Sequence, residues 1–225
     1  MLQKVTVFIC LLLLSLQVVA SDEPTHATKA FELTLGEDYQ LVQTAHPIAL
    51  PDNDNKIVIQ EFFSYGCPWC QRIETALTEW RKKQPSYVEF QQIPVSFKSG
   101  WDYYAKAYYL AHALGIEEKV GPTLFDVILN KKRNLTSNQA MISFFKEQGV
   151  DEHVAKNAFT SSISIDAKVA EGMKVMKAYQ VYMIPSIIVD GKYNTNLAMA
   201  KSSTERLLMI VDALIEKRKQ EKKIS

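Results

Sequence analysis

Cysteine and histidine are scarce in this chain, three and four in 225 residues. The histidines, His26, His46, His112 and His153, fall in no pattern such as HxxxH. A zinc-type site built on two cysteines needs two further N or S ligands, so no resident metal is expected. Net charge is scarce as well. Residues 1–20 carry Lys4 and no acid, so without them Lys and Arg drop from 26 to 25, equal to the 25 Asp and Glu. That balance calls for neither nucleic acid nor a strongly anionic partner. Internal repeats and low-complexity stretches are also missing.

Long hydrophobic runs are limited to one. Residues 5–19 are almost entirely apolar, follow Lys4, and end in Val18-Val19-Ala20 before Ser21. This is the pattern of a secretory signal peptide, residues 1–20, with cleavage predicted after Ala20. A membrane anchor is the alternative, but the run falls short of the ~20 residues that a span needs. A lipoprotein signal is excluded, because Cys10 lies inside the apolar core behind bulky residues. The mature chain then keeps only Cys67 and Cys70.

Those two cysteines lie three positions apart in "EFFSYGCPWCQR". In an exported chain an even count suggests structural disulfides. So short a ring, however, constrains the unfolded chain least, which makes it a poor staple. The flanking pattern points elsewhere. Residues 56–63, "KIVIQEFF", read as a strand buried on both faces. Pro68 then marks a first helical position, which places Cys67 at the N-cap and Cys70 in the first turn. Unsatisfied amides and the positive end of the helix dipole favour a thiolate at such an N-cap. A second thiol one turn on can close a disulfide or resolve a mixed one. The spacing therefore suits reversible thiol–disulfide exchange.

Ile73, Leu77 and Trp80 continue the helix, Pro85-Ser86 ends it, and residues 87–95 read as the next strand. Strand, helix and strand make a βαβ unit. From residue 97 to about 162 the periodicity is helical, with ends at Gly115 and Gly149 and a break expected at Gly121-Pro122. A further helix leads to "PSIIVDGKYNT", where Asp190-Gly191 signals a hairpin. A final helix opens at Ser203, with Arg206 where a capping box prefers Glu or Gln. The expected fold class is α/β with an inserted all-helical domain. Residues 21–96 and 163–225 form the core domain and 97–162 the insertion. Trp80, Trp101, Tyr103, Tyr104, Tyr108 and Tyr109 read as packing for the cores and the domain seam. Asn134-Leu135-Thr136 forms a sequon that such triplets also produce by chance.

Glu61 sits inside the apolar strand, where a carboxylate must be protonated or partnered. It could accept the proton that Cys70 loses, or it could lie at a strand edge and reach solvent. Ile184-Pro185 precedes a strand, and from the residues alone a trans bond is the base-rate expectation.

Taken together, "EFFSYGCPWC", "ALGIEEKV", "IPSIIVDGKY" and the helical block between them resemble the DsbA family of periplasmic thiol:disulfide oxidoreductases. The resemblance spans essentially the whole mature chain. It implies a thioredoxin fold with an inserted helical domain, and a protein that donates a disulfide to exported substrates. Cys67 would be the exposed nucleophile, Cys70 the buried resolving thiol, Glu61 the buried acid, and Pro185 a cis-proline beside the disulfide. Pro68, Trp69 and Ile184 would contact substrate. No cofactor is implied beyond the redox-active Cys67–Cys70 disulfide. The implied partners are unfolded exported proteins and a membrane quinone-linked reoxidising protein, with the chain itself a periplasmic monomer. Trp69 departs from the pattern: strongly oxidising members commonly carry His there, whose charge stabilises the thiolate, whereas indole offers a neutral N–H. An isomerase or reductase of the same superfamily is the runner-up. Residues 21–56 are too few for the dimerisation domain of a dimeric isomerase. A non-catalytic CxxC metal-binding module is the third reading.

Overall fold

The structure is a computed structural model that describes residues 31–44 and 55–224. The expected signal peptide lies outside the described residues, as do His26 and His46. Among the described residues no helix is long and apolar enough to cross a membrane.

A five-stranded sheet forms the centre, built from β1 (Gln40–Leu41), β2 (Ile57–Phe63), β3 (Val88–Pro94), β4 (Ser186–Val189) and β5 (Tyr193–Asn196). Its order is β1-β5-β4-β2-β3. β2 and β3 run parallel, joined through helix α1 (Pro68–Arg81), while β4 pairs antiparallel with both β2 and β5. Every residue of β2 is buried, as expected of a continuous apolar run held between two neighbours. The β4–β5 turn is the expected Asp190-Gly191 hairpin. Both residues have positive φ, the requirement of a type I′ turn, and Lys192 N–H donates to Val189 O at 3.0 Å.

Two helices cover one face of the sheet. On α1 the spacing of Ile73, Leu77 and Trp80 makes one apolar stripe. It packs with Ile57, Ile59, Ile187 and Val189 and with Leu207, Ile210, Val211 and Leu214 of α7 (Thr204–Lys222). Each of these fully buried aliphatic side chains contributes roughly 1.5–3 kcal/mol. Ser203 caps α7 by accepting from Arg206 N–H at 3.1 Å, so the weak capping pattern still marks the start.

Between β3 and β4 lie α2 (Trp101–Ala113), α3 (Glu117–Phe125), α4 (Asn138–Glu147), α5 (Glu152–Thr160) and α6 (Ile163–Ala178). Their core gathers Tyr104, Tyr108, Leu124, Leu135, Phe144, Phe145 and Phe159. α6 serves two clusters: Ile165 joins this helical core, while Val175 and Met176 pack on Phe62, Ile93 and Ile188 of the sheet. One expectation fails here. Pro122 does not break its helix but lies inside α3, which runs on into a π-helical turn over Asp126–Asn130. The ring of a proline clashes with the Cβ and the backbone N–H of the residue before it, and Gly121 removes the Cβ part of that clash. The sequon is taken up in a local turn, in which Asn134 Oδ1 accepts from Thr136 N–H at 3.0 Å and from its hydroxyl at 2.6 Å.

Candidate active site

The site stands where β2 ends and α1 begins. Cys67 is the N-cap of α1, in extended geometry, and Pro68 occupies the first helical position. Cys70 N–H donates to Cys67 O at 3.1 Å, closing the first turn between the two cysteines. Both thiols are free. Hydrogen bonding from the Cys70 thiol lowers the Cys67 pKa to about 7 against the opposing effect of burial, helped by the amides of Cys70 and Trp69 and the charge of Lys98. Burial pushes the Cys70 thiol well above the ordinary range, with the Cys67 hydrogen bond and the Glu61 charge adding to it. The two sulfurs of one turn are thus driven in opposite directions.

Cys67 is less open than expected. It is only 5% exposed, against 0% for Cys70. The cause is the loop before β4: the Cys67 thiol lies 3.6 Å from Ile184 O, to which it donates. The Ile184–Pro185 bond is cis, as the resemblance implies and contrary to the base rate. Pro185 is buried, while Tyr182 and Met183 are exposed beside it. On the other side Pro68 is exposed and Trp69 is 47% exposed, with the Arg72 guanidinium 5.3 Å from its ring centroid.

Glu61 lies behind the cysteines. The strand-edge alternative is ruled out, because β2 is an interior strand and Glu61 is fully buried. Its cross-strand partner on β3 is Gln92, whose Nε2 donates to Glu61 Oε2 at 2.8 Å. Oε1 has no hydrogen-bond partner among the described residues. Burial raises the Glu61 pKa to about 8, with the Glu74 carboxylate adding to the shift. Glu74 is itself raised by burial. A group in this state holds a proton near neutral pH and can exchange it.

Three residues here carried no functional assignment from the sequence. Gln92 and Glu74 form the polar surroundings of Glu61. Glu74 stands four residues after Cys70, hence on the same face of α1, and that spacing could have revealed it. Trp101, first residue of α2, had been read only as packing. Its ring lies against Gly66, where an added Cβ would sit 2.5 Å from Cε2 and 2.7 Å from Nε1. Only glycine allows an indole so near the residue before Cys67. Among the described residues no group of three or more His, Cys, Asp or Glu could hold a metal ion.

A parallel βαβ unit with a CxxC pair at its helix start, facing a cis-proline loop, defines a thioredoxin-fold thiol–disulfide protein. Residues 58–213 match the DSBA-like thioredoxin domain. The thiol:disulfide interchange protein DsbA of Burkholderia cepacia is 34% identical over 189 residues, covering 84% of this chain and 87% of that protein. Its counterpart in Pseudomonas syringae pv. tomato is 33% identical over 200 residues, covering 89% and 91%. The crystal structure of Pseudomonas aeruginosa DsbA superposes with a TM-score of 0.78 at 29% identity, covering 85% of this chain and 97% of that one. The chain belongs to the DsbA family.

Proposed function

We propose that this protein is a thiol:disulfide oxidoreductase that donates the Cys67–Cys70 disulfide to exported proteins. The observation that carries the reading is the opposite poise of two thiols in one helical turn, Cys67 lowered to about 7 and Cys70 raised. In the oxidised form a substrate thiolate attacks the Cys67 sulfur. The Cys67–Cys70 bond breaks and its electron pair leaves on Cys70, which takes a proton from Glu61. A second substrate thiolate then attacks the substrate sulfur of the mixed disulfide and releases Cys67 as a thiolate. The substrate gains a disulfide and gives up two electrons to the pair; its two thiol protons pass to solvent as its thiolates form, and solvent returns one proton to Glu61. Because a lower-pKa thiolate is the better leaving group, Cys67 is the sulfur suited to release.

In this reading the Ile184 backbone and cis-Pro185 offer an edge for an extended substrate segment, and Pro68 and Trp69 give apolar contact that does not depend on substrate sequence. The reading calls for no cofactor beyond the redox-active disulfide. Export through the N-terminal signal, a periplasmic location, a monomeric state and recharging by a membrane quinone-linked protein complete the proposal, supported by the apolar run of residues 5–19 and by family membership.

The test is to mix the oxidised protein with a reduced, unfolded multi-cysteine protein and follow thiol loss. Stoichiometric transfer is expected, with a mixed disulfide through Cys67 accumulating in the C70S variant. Failure to oxidise the substrate, or a trapped adduct on Cys70 in the C67S variant instead, would overturn the reading.

A further inference from the structure

The central dipeptide brings no charge to the Cys67 sulfur: Pro68 and Trp69 are neutral, and the Arg72 guanidinium is engaged over the Trp69 ring. The nearby elements do contain another cation. The link from β3 to α2 is tied at both ends: Val95 N–H donates to Phe63 O at 2.8 Å, at the end of β2, and Trp101 N–H donates to Lys98 O at 3.1 Å. The Ser96 hydroxyl also donates to Lys98 O, at 3.2 Å. These bonds fix the Lys98 backbone. Its ammonium stands 5.3 Å from the centroid of the Trp101 ring, the ring that lies against Gly66 immediately before Cys67. An indole face attracts a cation, so Trp101 acts as a platform that keeps the ammonium beside the active-site turn.

We propose that Lys98 is a positioning residue for the exchange reaction, supplying from the β3–α2 link the positive charge that stabilises the Cys67 thiolate. The inference rests on the proposed role of Cys67 as the thiol that ionises. The charged and titratable groups around that sulfur come from three elements: Glu61 on β2, Cys70 and Arg72 on α1, and Lys98 on the link. Any nearby cation favours a thiolate, and Lys98 is the one whose charge lowers the Cys67 pKa here. Because Lys98 is exposed, its effect is moderate and screened by salt, whereas the hydrogen bonds of Cys70 and the helix amides are not.

The experiment is a thiolate absorbance titration of the reduced protein, Lys98→Met, Lys98→Arg and Arg72→Met, each at low and at high salt. Lys98→Met should raise the Cys67 pKa by about half a unit at low salt, roughly a threefold loss in its ionisation constant. The difference should vanish near ~1 M salt, where the Debye length is about 3 Å. Lys98→Arg should keep the low value, and Arg72→Met should shift it less than Lys98→Met does. Equilibration with glutathione at a pH above the Cys67 pKa should show the matching change, Lys98→Met being less oxidising by at most about 15 mV. A purely structural role for Lys98 would give a shift independent of salt, and that result would overturn the proposal. So would an unchanged pKa in Lys98→Met, or a shift in Arg72→Met alone. Titrating C67S alongside separates the underlying reading: a low-pKa thiolate that survives there would show that Cys67 is not the ionising thiol.

Discussion

Replacing Glu61 by Gln isolates the most heavily perturbed carboxyl in the site. In the unfolded chain Glu61 titrates near 4.5, and in the fold near 8. The folded protein therefore holds this proton more tightly than the unfolded chain does. Its contribution is complete below about pH 4.5 and is lost as the pH rises through about 8. A difference of about 3.5 units corresponds to roughly 5 kcal/mol over the full window. Partial relaxation around the unpartnered Oε1 reduces this, so a change of about 2–5 kcal/mol is the expectation. Gln can still accept the Gln92 hydrogen bond but leaves its own amide N–H groups facing the unpartnered side, a constant cost of about 1–3 kcal/mol. The pH dependence, not the offset, carries the test. Urea unfolding of the reduced protein and of Glu61→Gln at about pH 5 and about pH 8.5 measures it. The native protein should lose stability relative to the variant as the pH rises, by the amount given. Profiles that stay parallel within about 0.5 kcal/mol would refute the claim that Glu61 is held protonated by burial.

Limiting alkylation of the reduced protein should label Cys67 before Cys70, with a rate that rises to half its maximum near pH 7, the lowered value for Cys67; peptide mapping reads the position, and predominant Cys70 adduct would contradict the assignment. Trp69→His should lower the Cys67 pKa further and raise the potential by at most about 30 mV per unit, only while the pH exceeds that pKa. Glutathione equilibration with thiolate titration decides it, an unchanged pair of values meaning that position 69 does not tune the couple. Gly66→Ala should cost about 1–3 kcal/mol by forcing the Trp101 ring off the turn, with a shift in tryptophan emission; an unchanged unfolding midpoint would show the contact to be slack.

What the sequence disclosed was carried by local signals. The β2 run, Pro68 at the first helical position, the stripe Ile73–Leu77–Trp80 and Asp190-Gly191 each state a conformation within a few residues, and each is found where it was read. Pro122 failed as a breaker for an equally local reason, since the glycine before it removes the Cβ part of the clash that the rule depends on. Glu61 could not be settled in the same way. Partnered or at an edge was a question of sheet order, and the neighbours that answer it, β3 and β4, lie respectively about 30 and about 125 residues along the chain. The cis bond at Pro185 was legible only through the resemblance, because the residues alone favour trans.

The same division runs through the chemistry. The two cysteines and their helix start are one contiguous motif, so the class of reaction could be read from twelve residues. The first turn itself supplies the hydrogen bonds that separate the two thiols, but the groups that surround them arrive from distant segments: the Ile184 carbonyl from the loop before β4, the Gln92 amide that holds Glu61 from β3, the Lys98 ammonium from the link to α2. Trp101 was legible only as packing, and its place against the active-site turn was not, since that depends on a glycine 35 positions earlier. A CxxC motif thus names the exchange while leaving its direction open. That direction is a difference between two thiol environments, and an environment assembled from three separate elements is not written in any one stretch of sequence.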